Sequence, residues 1–271
     1  MSWRVLVADG SSPAPLAAEL SRQLVSHRFV TPGSSDLAQT VSAELHAGFT
    51  RLAVQGGDPE IAAVIGAVLE AGFAGRVDLA LLPSRERSEL ARTFALGDSL
   101  AEGVRRLAHG DPYPIDIGVV TGSFGRMAFI NSVSTGVLAG GPAWFPFWPR
   151  PLRVAGRVVI EGGPTPVETM ASGVLVLNGQ FWGDWIGAPR STLVDGVVDL
   201  QLFTGTRRQL SRLRPAFRAG MHVRAAGVRR LAVSRAEVDQ PPGWQVVVDG
   251  IRVGRGPFSV EVVAGAVRLA V

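Results

Sequence analysis

The residues of this chain best placed to do chemistry lie in one stretch, residues 51–72, RLAVQGGDPEIAAVIGAVLEAG. Leu52, Ala53 and Val54 are a short apolar run suited to a buried parallel strand. Gly56 and Gly57 follow, and they permit backbone angles and close approaches that a Cβ would block. Asp58 has the side chain of an N-cap, and Pro59 fits the first helical position, where no N–H is needed. Ile61, Val64, Ile65 and Val68 then recur at helical spacing, and Gly72 stands where a C′ stop is expected. A strand that feeds a helix through glycines aims free backbone N–H groups, and the positive end of the helix dipole, at one spot. That spot suits a phosphate. An ordinary strand–helix turn with a capping aspartate uses the same residues, so the stretch alone leaves both readings open.

Other chemistries are excluded by what the chain lacks. It has no cysteine, hence no disulfide framework, thiol nucleophile or cysteine zinc site, which fits a reducing cytoplasm. All 27 basic residues are arginine, so the lysine of a Walker A loop is missing. His27, His46, His109 and His222 are isolated from one another and suggest no metal site, and no Gly-x-Ser-x-Gly elbow occurs. Arginine suits phosphate and carboxylate by its fork geometry. The arginines read as scattered, without interleaved aromatics, so a solvated surface is expected and nucleic acid is not a partner. The net charge is only +4, and the sequence pI of about 10.9 overstates the basicity.

The elements that must position the glycine turn follow from pattern. With 46% hydrophobic and 18% charged residues the chain is globular, and no apolar run approaches the ~20 residues of a membrane span. The opening MSWRVLVADG reads as a first strand and not as a signal segment. Strands are expected at 3–8, 27–30 and 77–82, the last ended by Pro83. Helices are expected at 16–25, from a cap at Ser35 or Asp36 through Leu45, at 89–95 after Ser88, and through Leu100 and Leu107 after Asp98 or Ser99. Strands alternating with helices argue for a doubly wound parallel sheet. Near residues 111–114 the pattern changes. Short strand-like runs follow at 115–120, 126–131, 173–178, 197–203, 227–234, 245–249 and 258–263, with one helical spacer near 207–219. The expected class is α/β: a doubly wound nucleotide-binding-type domain over residues 1–113, then a mainly antiparallel, sandwich-like domain over 114–271. Residues 144–151, WFPFWPRP, are barred from regular structure by their prolines. They read either as a packed surface loop or as a hydrophobic lip touching lipid.

The order of motifs resembles the diacylglycerol-kinase catalytic-domain family of bacterial lipid kinases and sphingosine kinases. Its Gly-Gly-Asp-Gly-Thr is matched by Gly56-Gly57-Asp58-Pro59-Glu60. Its Pro-x-Gly-Thr-x-Asn-Asp-x-Ala-Arg is matched by the stretch from Pro83 to Arg92, which keeps Ala91 and Arg92 and carries Arg85 and Arg87. Ile115-Asp116-Ile117-Gly118, Ala188-Pro189, Asp195-Gly196-Val197-Val198-Asp199 and Asp249-Gly250-Ile251 follow in the family's order. The resemblance implies transfer of the γ-phosphoryl of ATP to a lipid hydroxyl with Mg²⁺, in a site between the two domains. It makes Asp58 and Asp249 the catalytic candidates, Gly56, Gly57, Asp58, Pro83, Arg85 and Arg87 the nucleotide-binding ones, and Asp195 the metal ligand. It also implies a lipid substrate or membrane surface as partner, in a cytoplasmic protein peripheral to the membrane. The oligomeric state stays open, a dimer included.

The departures from the family fall on the chemistry. Pro59 deletes a backbone N–H that could face phosphate. Glu60 replaces a hydroxyl with an anion, and at ~4 Å and an effective dielectric of ~20 each like-charge pair costs about 4 kcal/mol. Ile251 stands in place of the Glu of Asp-Gly-Glu, and the Gly-Thr-x-Asn is gone. Two readings therefore stand side by side: a divergent ATP-dependent lipid kinase, in which Arg85 or Arg87 compensates, and a non-catalytic relative that binds a nucleotide, a lipid or a protein.

Overall fold

The computed structural model describes residues 2–30, 37–85, 87–142, 156–163, 165–205 and 207–271. The expected cap at Ser35 or Asp36 and the lip at residues 144–151 lie outside the described residues. Contacts divide the chain into two compact units, Met1–Asp116 with Ala264–Val271, and Ile117–Val263. The sequence pattern had ended the first domain at residue 113 and assigned all later residues to the second.

In chain order the first unit holds β1 (Trp3–Val7), α1 (Ala14–Arg22), β2 (His27–Val30), α2 (Leu37–His46), β3 (Arg51–Gln55), α3 (Asp58–Glu70), β4 (Asp78–Leu82), α4 (Glu89–Thr93) and α5 (Leu100–His109). Strand β5 (Pro112–Gly122) leads into the second unit. There follow β6 (Gly125–Phe129), β7 (Ser132–Thr135), β8 (Gly156–Glu161), β9 (Val167–Ala171), β10 (Gly173–Leu177) and the short hairpin β11 (Phe181–Trp182) and β12 (Trp185–Ile186). Then come β13 (Val198–Phe203), α6 (Arg207–Arg212), α7 (Arg214–Arg218), a 3₁₀ turn at His222–Arg224, β14 (Val228–Val233), β15 (Arg235–Asp239), β16 (Gln245–Val248), β17 (Ile251–Arg255) and β18 (Phe258–Ala270).

The first unit is the expected doubly wound sheet. Its strands run in the order β2-β1-β3-β4 and the end of β18, every neighbouring pair parallel. Trp3, Val5, Ala53, Ala80 and Leu82 pack with Leu16, Leu20, Val104 and Leu107, so α1 and α5 cover one face. Arg4, the alternate residue of β1, pairs with Glu44 of α2 at 2.7 Å and stacks on Phe49. α2 and α3 lie against each other and cover the opposite face. The chain leaves β1 toward β2 and later returns to β3 on β1's other side. The strand order therefore reverses between β1 and β3, and the turns after both strands open at that reversal.

The second unit is a β-sandwich. One sheet pairs β18 with β15, β15 with β8 and β8 with β9, all antiparallel, and β5 joins β6 and β18. The other has the order β14-β13-β10-β7-β16-β17. Val158, Ile160, Val238 and Val260 of the first sheet meet Val133, Val176, Leu200 and Val248 of the second in one core. Alternation along β13 sends Leu200 and Leu202 into that core and Phe203 to the outer face. There Phe203, Trp182, Trp185, Leu210 and Phe217 form a second cluster under α6 and α7.

Two landmarks of the resemblance have structural duties. Asp116 is buried and accepts the Gly265 N–H at 2.8 Å, tying β5 to the returning strand within the first unit. Gly118 lies opposite Phe129 in the β5–β6 ladder, where a Cβ would stand only 2.2 Å from the ring. Gly118→Ala is expected to destabilise the fold by about 1–3 kcal/mol, because Phe129 is fully buried and cannot swing clear. Urea unfolding of the purified variant measures the loss, and parental stability would show that the ring yields freely.

Candidate functional site

The glycine turn sits where a ligand is received in doubly wound sheets, at the carboxyl ends of the strands beside the reversal of strand order. Gly56, Gly57 and Asp58 are all buried. Ala8 donates its N–H to the Gln55 carbonyl at 2.8 Å, and its Cβ would lie 3.5 Å from a Cβ on Gly56. The turns after β1 and β3 are therefore held against each other. Gly56 has no room for a side chain, since a Cβ there would stand 2.9 Å from Glu60 Cβ. At the far end of α3 the stop expected at Gly72 is present. Its φ is +73°, Gly72 N–H reaches Leu69 C=O and Phe73 N–H reaches Val68 C=O, the double bond pattern of a glycine-ended helix.

Asp58 is not the N-cap that its type suggested. The helix starts one residue earlier, with Gly57 at the cap and Asp58 at its first position. The physical reason is competition for donors. Glu60, at the third helical position, accepts the Gly57 N–H at 2.9 Å and so serves the helix start itself. Asp58 is free to point elsewhere, and its carboxylate accepts the Ser88 hydroxyl at 2.5 Å and the Glu89 N–H at 2.7 Å. Ser88 is the N-cap of α4, as expected, and accepts the Ala91 N–H at 3.0 Å. Asp58 thus clamps the start of α4 to the start of α3. Asp58→Ala is expected to lower stability by about 2 kcal/mol, since it strands a hydroxyl and an N–H that are part-buried. With Ser88→Ala in a double-mutant cycle the coupling should reach about 1–2 kcal/mol. Additive losses in thermal unfolding would count against the clamp.

A small cavity opens beside the turn, lined by Gly56, Leu82, Pro83, Ser84, Ser88 and Arg106 among others. Pro83 takes part through its carbonyl, which accepts from the Gln55 side chain at 2.9 Å. Arg85 and Arg87, the expected phosphate ligands, are exposed and do not line it. The cation at the cavity is Arg106, which sequence reasoning passed over. Its Nη2 donates to the Leu81 carbonyl at 3.2 Å, and burial holds its guanidinium below the usual arginine range. A signal existed in the sequence. Gly103 interrupts α5, and an internal helix glycine marks a close approach. A Cβ there would lie 2.7 Å from Pro83 Cδ, so α5 is pressed onto the Pro83 turn and carries Arg106 in with it.

In the second unit Asp249 stands at the β16–β17 hairpin, with φ +44° followed by Gly250 at +82°. Asp-Gly with both residues left-handed is the tight hairpin connection that matches strand twist. The Asp249 carboxylate accepts three backbone N–H groups, from Ile130 at 2.8 Å, Asn131 at 2.9 Å and Ser132 at 2.8 Å. Asp195 is exposed in a turn, where it accepts the Val197 N–H at 3.3 Å. Asp199, four residues on, is buried and takes a forked ion pair from Arg230. Among the described residues no three His, Asp or Glu side chains come together as a metal site would require. The residues at hand do not fit a magnesium–triphosphate group. At the glycine turn an anion on the Gly57 N–H would meet the Glu60 carboxylate.

No helix among the described residues is long and apolar enough to cross a membrane. A comparison with curated proteins gives no match. Among solved structures the chain is similar to a diacylglycerol kinase from Bacillus anthracis strain Sterne, at 14% identity and a TM-score of 0.75, covering 99% of this chain and 96% of that one. It is also similar, at 12% identity and a TM-score of 0.53, to an NAD kinase from Archaeoglobus fulgidus solved in complex with ATP, covering 97% of this chain and 90% of that one. Residues 147–271 match the model of the YegS C-terminal NAD kinase beta sandwich-like domain. Residues 147–271 are thus similar to that domain family, and the chain as a whole shares the fold of the diacylglycerol kinase structure.

Proposed function

We propose that this chain is a non-catalytic relative of the lipid kinases, a binding protein on the kinase fold. One observation carries the reading: Glu60 accepts the Gly57 N–H at 2.9 Å. A phosphate-binding turn works by leaving such donors open to an anion. Here the chain supplies its own carboxylate, so a nucleotide phosphate must displace that bond and then sit beside the displaced charge. Asp58, the candidate base in the turn, supports the same reading, because both of its oxygens already hold the start of α4. The rival reading, an active ATP-dependent lipid kinase, draws support from Arg106, a cation at the cavity beside Gly56, and from Ser84 and Ser88 around it.

Calorimetric titration of the purified protein with ATP and Mg²⁺ decides between them. The parent is expected to bind weakly or not at all. Pro59→Gly with Glu60→Thr should tighten binding by about tenfold to a hundredfold, since it returns a donor and removes a charge. Phosphorylation of lipid should stay poor in both proteins, because Ile251 remains. Tight binding and turnover by the parent would defeat the proposal. In that event Arg85, Arg87 or Arg106 holds the phosphates, and alanine at the residue responsible abolishes activity.

A further inference from the structure

The arginines that read as scattered in sequence are not evenly placed. Between Asp199 and Glu237 there is no acidic residue, and the stretch holds nine arginines. The rest of the chain is left with 18 arginines against all 23 acidic residues, so this segment is a positive pole on an otherwise net-negative chain. Its elements are packed in series: α6 against α7, α7 against the 3₁₀ turn, and that turn against β14. Leu210 and Phe217 are buried among Trp182, Trp185 and Phe203 and fix the inner side. On α6, α7 and the turn, Arg208, Arg212, Arg218 and Arg224 are exposed. Met221, between α7 and the turn, is 66% exposed, the most exposed large apolar side chain among the described residues of the second unit.

We propose that this face docks on a bilayer containing anionic phospholipid. Two features favour lipid over nucleic acid. The aromatic rings of the stretch, Phe203, Phe217 and His222, are fully buried, so no stacking platform for bases is offered. The residue that projects among the cations is instead a flexible thioether, which can dip into the headgroup region while the guanidinium groups meet phosphates. The inference does not rest on whether the glycine turn binds ATP.

The test sediments the full chain with vesicles of phosphatidylcholine, and with vesicles in which part of that lipid is replaced by phosphatidylglycerol. The protein should be retained on the anionic vesicles only and released by high salt. Each arginine near such a surface contributes roughly a fivefold factor. Arg208→Gln, Arg212→Gln and Arg224→Gln together should therefore weaken binding about a hundredfold, with an unchanged circular dichroism melt. The same three positions changed to lysine should keep most of the binding. Residues 144–148 stay intact in every variant, so a loss reports on the arginines alone. Equal retention on neutral vesicles, no retention on anionic ones, parental binding by the glutamine variant, or a tighter hold on duplex DNA than on vesicles at the same salt would each overturn the proposal.

Discussion

Asp249→Ala is expected to be the most destabilising single change at the candidate site, costing about 3–5 kcal/mol in urea unfolding. Three backbone donors, at Ile130, Asn131 and Ser132, end on its carboxylate, and all three residues are buried. They form the link between β6 and β7, so water cannot replace the lost acceptor at each. Alanine must also hold φ near +44°, a region where an L-residue without a polar side chain pays about 1–2 kcal/mol. The series separates the two causes. Asp249→Gly relieves the backbone and still loses the acceptors. Asp249→Asn tolerates the backbone angle and keeps one acceptor oxygen, but turns an amide N–H₂ toward a donor. The expected order of stability is parent, then Asn, then Gly, then Ala. The family resemblance would make Asp249 catalytic, which predicts inactive variants with parental stability. Variants that unfold at parental urea concentrations would therefore refute the capping role.

Much of the fold was legible because burial and period agree. Strand β2 and the start of α5 fall where apolar spacing and turn residues placed them. β7 was missed because its sequence, SVST, is polar yet wholly buried. Its place in the sheet is secured by β10 and β16 on either side, which no local pattern reveals. β18 was foreseen only to residue 263. In the fold the strand runs on to Ala270, where Arg268 and Leu269 pair in parallel with Asp78 and Leu79. At the candidate site the glycine turn, the proline turn and the Ser88 cap were readable from residue type alone. The target of Asp58 was not, because it lies 30 residues away, and carboxylates are promiscuous acceptors. Arg106 was hidden for a similar reason: its place is set by how α5 packs on Pro83. The arginine face was hidden by averaging, since a whole-chain charge of +4 conceals a segment with nine cations and no anion.

Acid should weaken the second unit through His222. The ring is fully buried, stacked on Phe217 at 3.6 Å between centroids and 4° between planes, and its Nε2 lies 3.0 Å from Gln201 Oε1. Gln201 in turn donates its amide to the Gly187 carbonyl at 2.9 Å. With its nitrogen committed to Gly187, the glutamine can only accept at its oxygen, so the imidazole carries a proton on Nε2. Burial among apolar rings pushes the His222 pKa down to about 4 from an ordinary 6.5. In the unfolded chain the ring takes its proton first as the pH falls. The stability it contributes is therefore complete above about 6.5, falls away between 6.5 and 4, and is level below that. At 1.36 kcal/mol per unit the loss amounts to about 3 kcal/mol. Carboxylates titrate in part of the same window, so the measurement is a difference. His222→Gln keeps a donor for Gln201 but cannot stack or titrate, and it should be the less stable protein at neutral pH. The gap between parent and variant in urea unfolding should narrow by about 3 kcal/mol as the pH is lowered to about 4. A gap that stays constant across that range would mean that the folded state admits the imidazolium. The aromatic cluster beneath α7 would then be open enough for water to reach the ring.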